Sequence, residues 1–301
     1  MSSDPNGPQA DPSRLVFPGY FAVIRAGFSV LERLAPGLVG PAAVRIFRTA
    51  RRFPTPDREL AWLASAEPLT LAAGGRRIAG HSWGRGPTVL LLHGWEGRGS
   101  QMGAFARPLA DAGYRVVALD APGHGGSEGR LSSLPEFAAA VIAADDELGP
   151  LHAIVAHSFG AAGTGWALLS GVEAERLVFL AAPDDLHRYI GFYSSLLGLS
   201  ARGRHAMLAT LEKRAGVDWS RARYATAAAA DATPILVVHD EDDPECPFAG
   251  GRKIAEAWPR AEMTSTTGLG HNRILRDPAV VARVVGFVAA SESAPRIARA
   301  G

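Results

Sequence analysis

The sequence predicts an α/β protein: a mainly parallel central sheet with helices on both faces, carrying a small helical cap insertion and an N-terminal helical arm. Three observations carry that expectation. Short apolar runs without polar alternation, such as Thr88–Leu92 and Leu177–Leu180, read as strands covered on both faces. Helical stretches lie between successive runs, and such alternation builds a parallel sheet. Finally, the run Ala153–Ala156 turns through Ser158 into the helical sequence beginning at Gly160, so strand and helix meet at one sharp joint.

The arm comes first. Residues 1–13 are polar, with Pro5, Pro8 and Pro12, and read as disordered. Residues 14–53 read as two helices broken by Pro36-Gly37 and Gly40-Pro41. In the second, Ala43, Ile46, Phe47 and Ala50 share one face, while Arg45, Arg48 and Arg52 share the other. Seven arginines against the single acid Glu32 make this segment basic. An amphipathic arm packed on the main domain with a solvated arginine face is expected, with weak or no membrane-surface contact. Residues 1–68 thus form a disordered N-terminus and helical arm, with a short helical piece over 57–66.

The main domain is expected over 69–290. Leu69–Leu71 and Ile78–Trp83 flank the turn signal Gly74-Gly75 and read as a hairpin. Thr88–Leu92 follows as a buried strand, 100–112 as a helix, and Arg115–Leu119 as the next strand. Leu134–Leu148 is helical, with Ser133 and Glu136 placed as a capping box. After the Ser158 joint come the strand Leu177–Leu180 and the helical insertion 184–232. Ile235–His239 (strand), Phe248–Trp258 (helix), Glu262–Thr267 (strand) and Pro278–Ala290 (helix) restore the alternation, and 291–301 reads as a frayed tail.

Composition narrows the function classes. The chain has 301 residues, 47% of them hydrophobic, enough for one large domain with an insertion. A formal net charge of +1 gives no argument for nucleic acid. Cys246 is the single cysteine, so an intrachain disulfide is impossible and a thiolate metal cluster is not expected. The early apolar run Leu15–Ile24 is interrupted by Pro18 and Gly19 and falls short of the roughly 20 residues of a membrane span. A cytoplasmic protein without metal or cofactor is the expectation. Gly97-Arg98-Gly99 lacks the lysine and spacing of a phosphate-binding loop.

The chemistry centres on Ser158. A strand-to-helix elbow lifts a serine hydroxyl clear of the sheet and needs small residues two positions to either side, here Ala156 and Gly160. A serine needs a histidine to take its proton, and the histidine needs a carboxylate to fix its tautomer. In chain order the candidates are Ser158, one of Asp240, Glu241, Asp242 and Asp243, and His271, all just after strand ends, where ligands bind in such sheets. Cys246, near the acid loop, reads as a small apolar filler.

With these residues in view, the chain resembles the α/β-hydrolase superfamily over roughly 69–290, of serine esterase or lipase type with a short cap. The resemblance rests on His93-Gly94-Trp95, on Asp120-x-Pro-Gly-His-Gly-x-Ser127, on Ala-His-Ser158-Phe-Gly, on the segment from Val237 through Asp243 to Pro247, and on Gly270-His271. It implies Asp243 as the acid, because Asp240 takes the strand-end place three residues before it. It also implies the backbone N–H groups of Trp95 and Phe159 as the oxyanion hole. His93, His124 and Ser127 are then structural, and His157 packs under the elbow. Trp95 either walls an acyl pocket or plugs the core. The expected activity is hydrolysis of a carboxylic ester or thioester, with a small-molecule ester as substrate. The insertion would line an acyl channel through Leu186, Tyr189, Ile190, Phe192, Tyr193, Leu196 and Leu197. Acyl transfer, carbon–carbon bond hydrolysis, or non-catalytic ligand binding are the alternatives.

Overall fold

The computed structural model describes residues 20–215 and 233–290. The opening residues 1–13, the end of the insertion and the tail from Ser291 lie outside the described residues. Eight strands form one sheet: β1 (Glu67–Ala73), β2 (Arg76–Trp83), β3 (Thr88–Leu92), β4 (Arg115–Leu119), β5 (Leu151–His157), β6 (Ala174–Leu180), β7 (Ile235–Asp240) and β8 (Ala261–Thr266). Their spatial order is β1-β2-β4-β3-β5-β6-β7-β8. The hairpin β1–β2 turns on Gly74 and Gly75, at φ of 55° and 73°, where a side chain would be strained. β2 is antiparallel to β4, and every pairing from β4 to β8 is parallel.

Why the central strands read as unbroken apolar runs is now plain. Leu90, Leu92, Ile154, Phe179 and Val237 point to one layer, where α5 (Leu134–Leu148), α6 (Phe159–Leu169) and α9 (Phe248–Ala257) cover them. Val89, Leu91, Val155, Val178 and Val238 point to the other, under α4 (Gly103–Asp111) and α11 (Pro278–Ala289). All ten side chains are fully buried. The parallel core is thus dry on both faces, and its polar business is confined to the loops at the strands' carboxyl ends.

A third, separate core joins two pieces of chain. The arm supplies α1 (Tyr20–Leu34), a 3₁₀ turn (Pro36–Leu38) and α2 (Val39–Phe47); the insertion supplies α7 (Leu186–Leu196) and α8 (Ala201–Ala215). Phe28, Val39, Ala43 and Val44 of the arm bury against Leu186, Ile190, Leu197, Met207 and Leu211 of the insertion. The crossing of α2 on α8 is close enough to need a glycine: a Cβ on Gly40 would stand 2.3 Å from Thr210 Oγ1 and 2.4 Å from the Ala206 carbonyl oxygen. Arm and insertion together make one helical cap.

Three expectations are corrected. Gly40-Pro41 does not break the helix but lies in the first turn of α2, where proline's missing N–H has no intrahelical partner to lose. The arginine face is not simply solvated. Arg48 bonds the Glu136 carboxylate and the Ser132 carbonyl, and Arg52 donates to the carbonyls of Gly123, Ser127 and Gly129. The capping box is not closed either: the Ser133 hydroxyl bonds the Glu136 carboxylate rather than a backbone N–H, and that carboxylate is turned to Arg48.

A short helix, α3 (Asp57–Leu63), links arm to sheet, and its Glu59 is buried. Arg98 meets Glu59 with two parallel bonds of 2.7 and 3.0 Å, and the Ser100 hydroxyl adds a third at 2.7 Å. The Gly97-Arg98-Gly99 loop is therefore a tie to α3.

Candidate active site

Ser158 stands between β5 and α6 with φ 51° and ψ −121°, a backbone conformation that a residue with a Cβ adopts only under strain. The packing that enforces it is visible at the small neighbours. Ala156 is fully buried, and a Cβ on Gly160 would lie 2.4 Å from the His93 carbonyl oxygen. Any larger residue would lever α6 away from the end of β3. Gly94 does the same from the other side, its Cβ position falling 2.9 Å from the Ser158 Cβ.

His271 lies in the one-turn helix α10 (Gly270–Arg273) beyond β8 and is buried. Its Nδ1 donates to Asp243 Oδ2 at 2.8 Å. The other oxygen of that carboxylate accepts from the backbone N–H groups of Glu245 and Cys246, so Asp243 is fixed by its own loop. Asp240, the competitor, turns away. It accepts from Thr266 Oγ1, Leu269 N and Asp242 N, bracing the loop that carries His271. Burial works against its charge, but these bonds prevail and hold its pKa below the ordinary carboxylate value. Asp242 accepts from Gly268 N and is likewise turned from the His271 ring.

His271 is also under electrostatic tension. Burial disfavours its protonated form, yet the Cys246 sulfur, the Asp243 bond and the nearby Glu245 carboxylate outweigh it and raise its pKa well above the ordinary histidine value. His157 lies beside it, ring centroids 4.6 Å apart, and its Nε2 bonds the His271 carbonyl oxygen at 3.0 Å. Burial and the neighbouring His271 keep His157 neutral, well below its usual pKa. That ring thus supports the loop that carries His271 as well as packing under the elbow.

Cys246 is not a filler. Its sulfur is 2.7 Å from the Tyr189 hydroxyl and 4.0 Å from Ser158 Oγ. Among the described residues, this sulfur, not the His271 ring, is the polar contact of Ser158 Oγ. Ser158 and His271 face one pocket without being bonded to each other. Asp243, Cys246 and His271 bring their donor atoms within 4.8 Å of one another. The carboxylate of that trio is already engaged by the ring and by two backbone N–H groups. His239, missed in the sequence because it reads as the end of a strand, anchors this loop by a 2.8 Å bond from Nε2 to the Cys246 carbonyl.

Trp95 and Phe159 flank the Ser158 hydroxyl from the ends of β3 and β5 and pack edge to face, 5.4 Å between centroids. Trp95 does both things open to it: it lines the pocket and packs against His124 and Phe137. His93 and His124 are buried and structural. His93 Nε2 accepts from Ala121 N, and burial lowers its pKa to about 4 and that of His124 to about 3. The Ser127 hydroxyl bridges Ala79 N and the Asp120 carbonyl.

The pocket holds about 360 Å³. Leu186, Tyr189, Phe192 and Tyr193 of α7 line it, whereas Ile190 and Leu197 turn into the cap core and Leu196 is not part of the wall. Phe47 and Phe53 from the arm complete the wall, and Phe47 packs on Trp95 and Tyr193 at 6.2 and 5.1 Å. Nothing in the spacing of these two aromatics distinguishes them from arm packing, so the sequence does not disclose their place.

The sequence pattern described as the alpha/beta hydrolase family matches residues 89–284. A pimeloyl-[acyl-carrier protein] methyl ester esterase of Xanthomonas campestris is 27% identical over 246 residues, covering 69% of this chain and 97% of that protein. The dihydrolipoyllysine-residue acetyltransferase component of the acetoin cleaving system of Cupriavidus necator is 35% identical over 157 residues. That match covers 51% of this chain and 41% of the acetyltransferase component, so the chain spans less than half the length of that relative. Among solved structures, an esterase from Exiguobacterium antarcticum superposes with a TM-score of 0.57 at 16% identity, covering 74% of this chain and all of that one.

Proposed function

The chain belongs to the alpha/beta hydrolase family, and from that premise we propose that it is a serine hydrolase cleaving a carboxylic ester or thioester through an acyl-enzyme. The observation that carries this reading is the 2.8 Å bond from His271 Nδ1 to Asp243, with the other edge of that ring and the strained Ser158 opening on one apolar-walled pocket.

The steps follow from the groups. Asp243 fixes the proton on Nδ1, leaving Nε2 to take the Ser158 proton as Oγ attacks the acyl carbon. The oxyanion that forms is met by the Trp95 and Phe159 N–H groups, which need no reorganisation at that moment. Nε2 then hands its proton to the leaving alcohol or thiol, and the acyl group remains on Oγ. Water, deprotonated by the same nitrogen, releases the acid and restores Ser158. Aromatic and aliphatic walls from α7 and the arm favour a small or medium apolar acyl chain over a charged one. The relationship to an enzyme named as a methyl ester esterase supports this class. Transfer of the acyl group to an acceptor other than water uses the same intermediate.

A fluorophosphonate probe tests the reading. Wild-type protein should be labelled on Ser158, Ser158→Ala should not, and p-nitrophenyl esters should be hydrolysed with a preference set by chain length. A protein that bound esters but took no label and turned over no ester would be a binding protein instead.

A further inference from the structure

α1 carries apolar side chains on two of its faces. Phe28, Ile24 and Leu31 point into the cap core. Val23, Val30 and Leu34 recur on an adjoining face about 100° around the helix and, with Leu38 in the next turn, stand 74%, 52%, 80% and 59% exposed. Packing within the described chain therefore uses one face of this helix and leaves a second apolar stripe in water.

Beside the stripe lies a recess of about 560 Å³ between α1 and the start of α8, lined by Arg33, Arg202, His205 and Ser29. Its one acid, Glu32, is engaged, accepting from Ser200 N at 3.0 Å. The wider charge pattern agrees. The two cap segments, 20–52 and 186–214, hold eleven arginines and lysines against Glu32 and Glu212, a net +9 in a chain whose total is +1. The remaining chain is correspondingly −8, so the positive charge is gathered on the cap.

We propose that the outer face of the cap docks on an anionic lipid surface, with Val23, Val30, Leu34 and Leu38 entering the acyl boundary and Arg33 and Arg202 meeting headgroup phosphates. A helix with an apolar stripe and a basic flank lies in the plane of a bilayer interface. No described helix is long and apolar enough to cross a membrane. A second copy of the chain is a poorer occupant, because the Arg33 and Arg202 flanks of two like-charged cap faces would have to meet. The expectation of weak or no membrane contact assumed that packing would consume the arm's apolar side chains, and four of them stand outside it.

The test is co-sedimentation of the full chain with phosphatidylcholine vesicles, with and without phosphatidylglycerol, at low and high salt. Wild-type protein should pellet with the anionic vesicles and be released by salt. Replacing Leu34→Glu and Val30→Glu together should lower partitioning by about tenfold or more. Arg33→Gln and Arg202→Gln should each lower it about fivefold. All four substitutions should leave hydrolysis of a short soluble p-nitrophenyl ester unchanged, which separates docking from catalysis. Equal sedimentation with neutral and anionic vesicles would overturn the proposal, as would undiminished binding by the glutamate variants. So would a dimer, seen by sedimentation velocity, that Leu34→Glu dissolves while vesicles bind nothing.

Discussion

The sheet rim and the cap meet at one pocket but are held by different forces. At the rim, the groups around Ser158 are fixed by short hydrogen bonds, buried or partly buried. Asp243 is held by two backbone N–H groups, the His271 loop by Asp240 through Thr266 and Leu269, and Cys246 by His239. In the cap, position comes from apolar packing between two segments more than 130 residues apart, with arginine ties to the domain below. Hydrogen bonds fix direction within a few tenths of an ångström, whereas dispersion and burial are non-directional. The rim should therefore control the rate of bond breaking and the cap the choice of chain, and substitutions in one should leave the other's property standing.

The largest effect tests the rim. Ser158→Ala should abolish turnover down to the residue of about 10³–10⁴ over water that an oxyanion hole alone sustains, with the melting temperature little changed. Next comes the acid: Asp243→Asn should cost about 10⁴ in kcat by favouring the wrong histidine tautomer. Asp240→Asn should cost less in kcat and more in thermal stability, since Asp240 holds a loop rather than the ring. Kinetics and melting curves on the two variants decide, and a larger kcat loss at Asp240 would move the acid.

The cap gives smaller and different changes. Gly40→Leu places a side chain where 2.3 Å is available and should cost about 1–3 kcal/mol by forcing α2 off α8. Phe47, at the end of α2, would move with it, so KM for longer p-nitrophenyl esters should rise while short esters keep their kcat. A uniform loss across chain lengths would show that cap and rim are not separable.

The smallest effect is a displacement in pH. His271 must be neutral to act as base, so kcat/KM should climb with pH through a pKa raised above 6.5. The Cys246 sulfur is among the causes, and Cys246→Ala should shift that limb to lower pH. The raised value also means that the charged ring stabilises the fold below pH 6.5, a contribution lost as pH rises through the folded-state pKa. A limb that stays in place in Cys246→Ala would leave Asp243 and Glu245 as the groups that matter.

What could be read from the sequence follows the same division. β3 and β4 are legible to the residue, because a strand buried on both faces leaves an uninterrupted apolar run bounded by glycines and charges. The Ser158 elbow is legible because its steric demand falls on Ala156 and Gly160, which are adjacent in sequence. Cys246 is not, since its place is set by the turn of the acid loop, which follows no period. Phe47 is not, because its partners Trp95 and Tyr193 lie 48 and more residues away, and Phe53 is not, because the chain beyond α2 brings it to the pocket wall without any sequence period. Gly40-Pro41 misleads by composition alone: the pair that ends helices elsewhere here opens one. Arg48 and Arg52 count as surface charges until the carbonyls they meet are in place.

Splitting the cap between chain positions 20–52 and 186–214 has a consequence for the order of assembly. At a synthesis rate of about 5–20 residues per second, the arm spends roughly 10–30 seconds outside the ribosome before the helix it packs against exists. During that interval Phe28, Val39 and Val44 lack their partners on the insertion, and strands β1 to β6 can take shape beneath them. The close approach of α2 to α8 at Gly40 can form only after Ala206 and Thr210 have emerged, and closing so long a loop is slow. The newborn chain thus carries the Ser158 elbow in an open groove before α7 exists, and both pieces of the cap have emerged before Asp243 and His271 follow them.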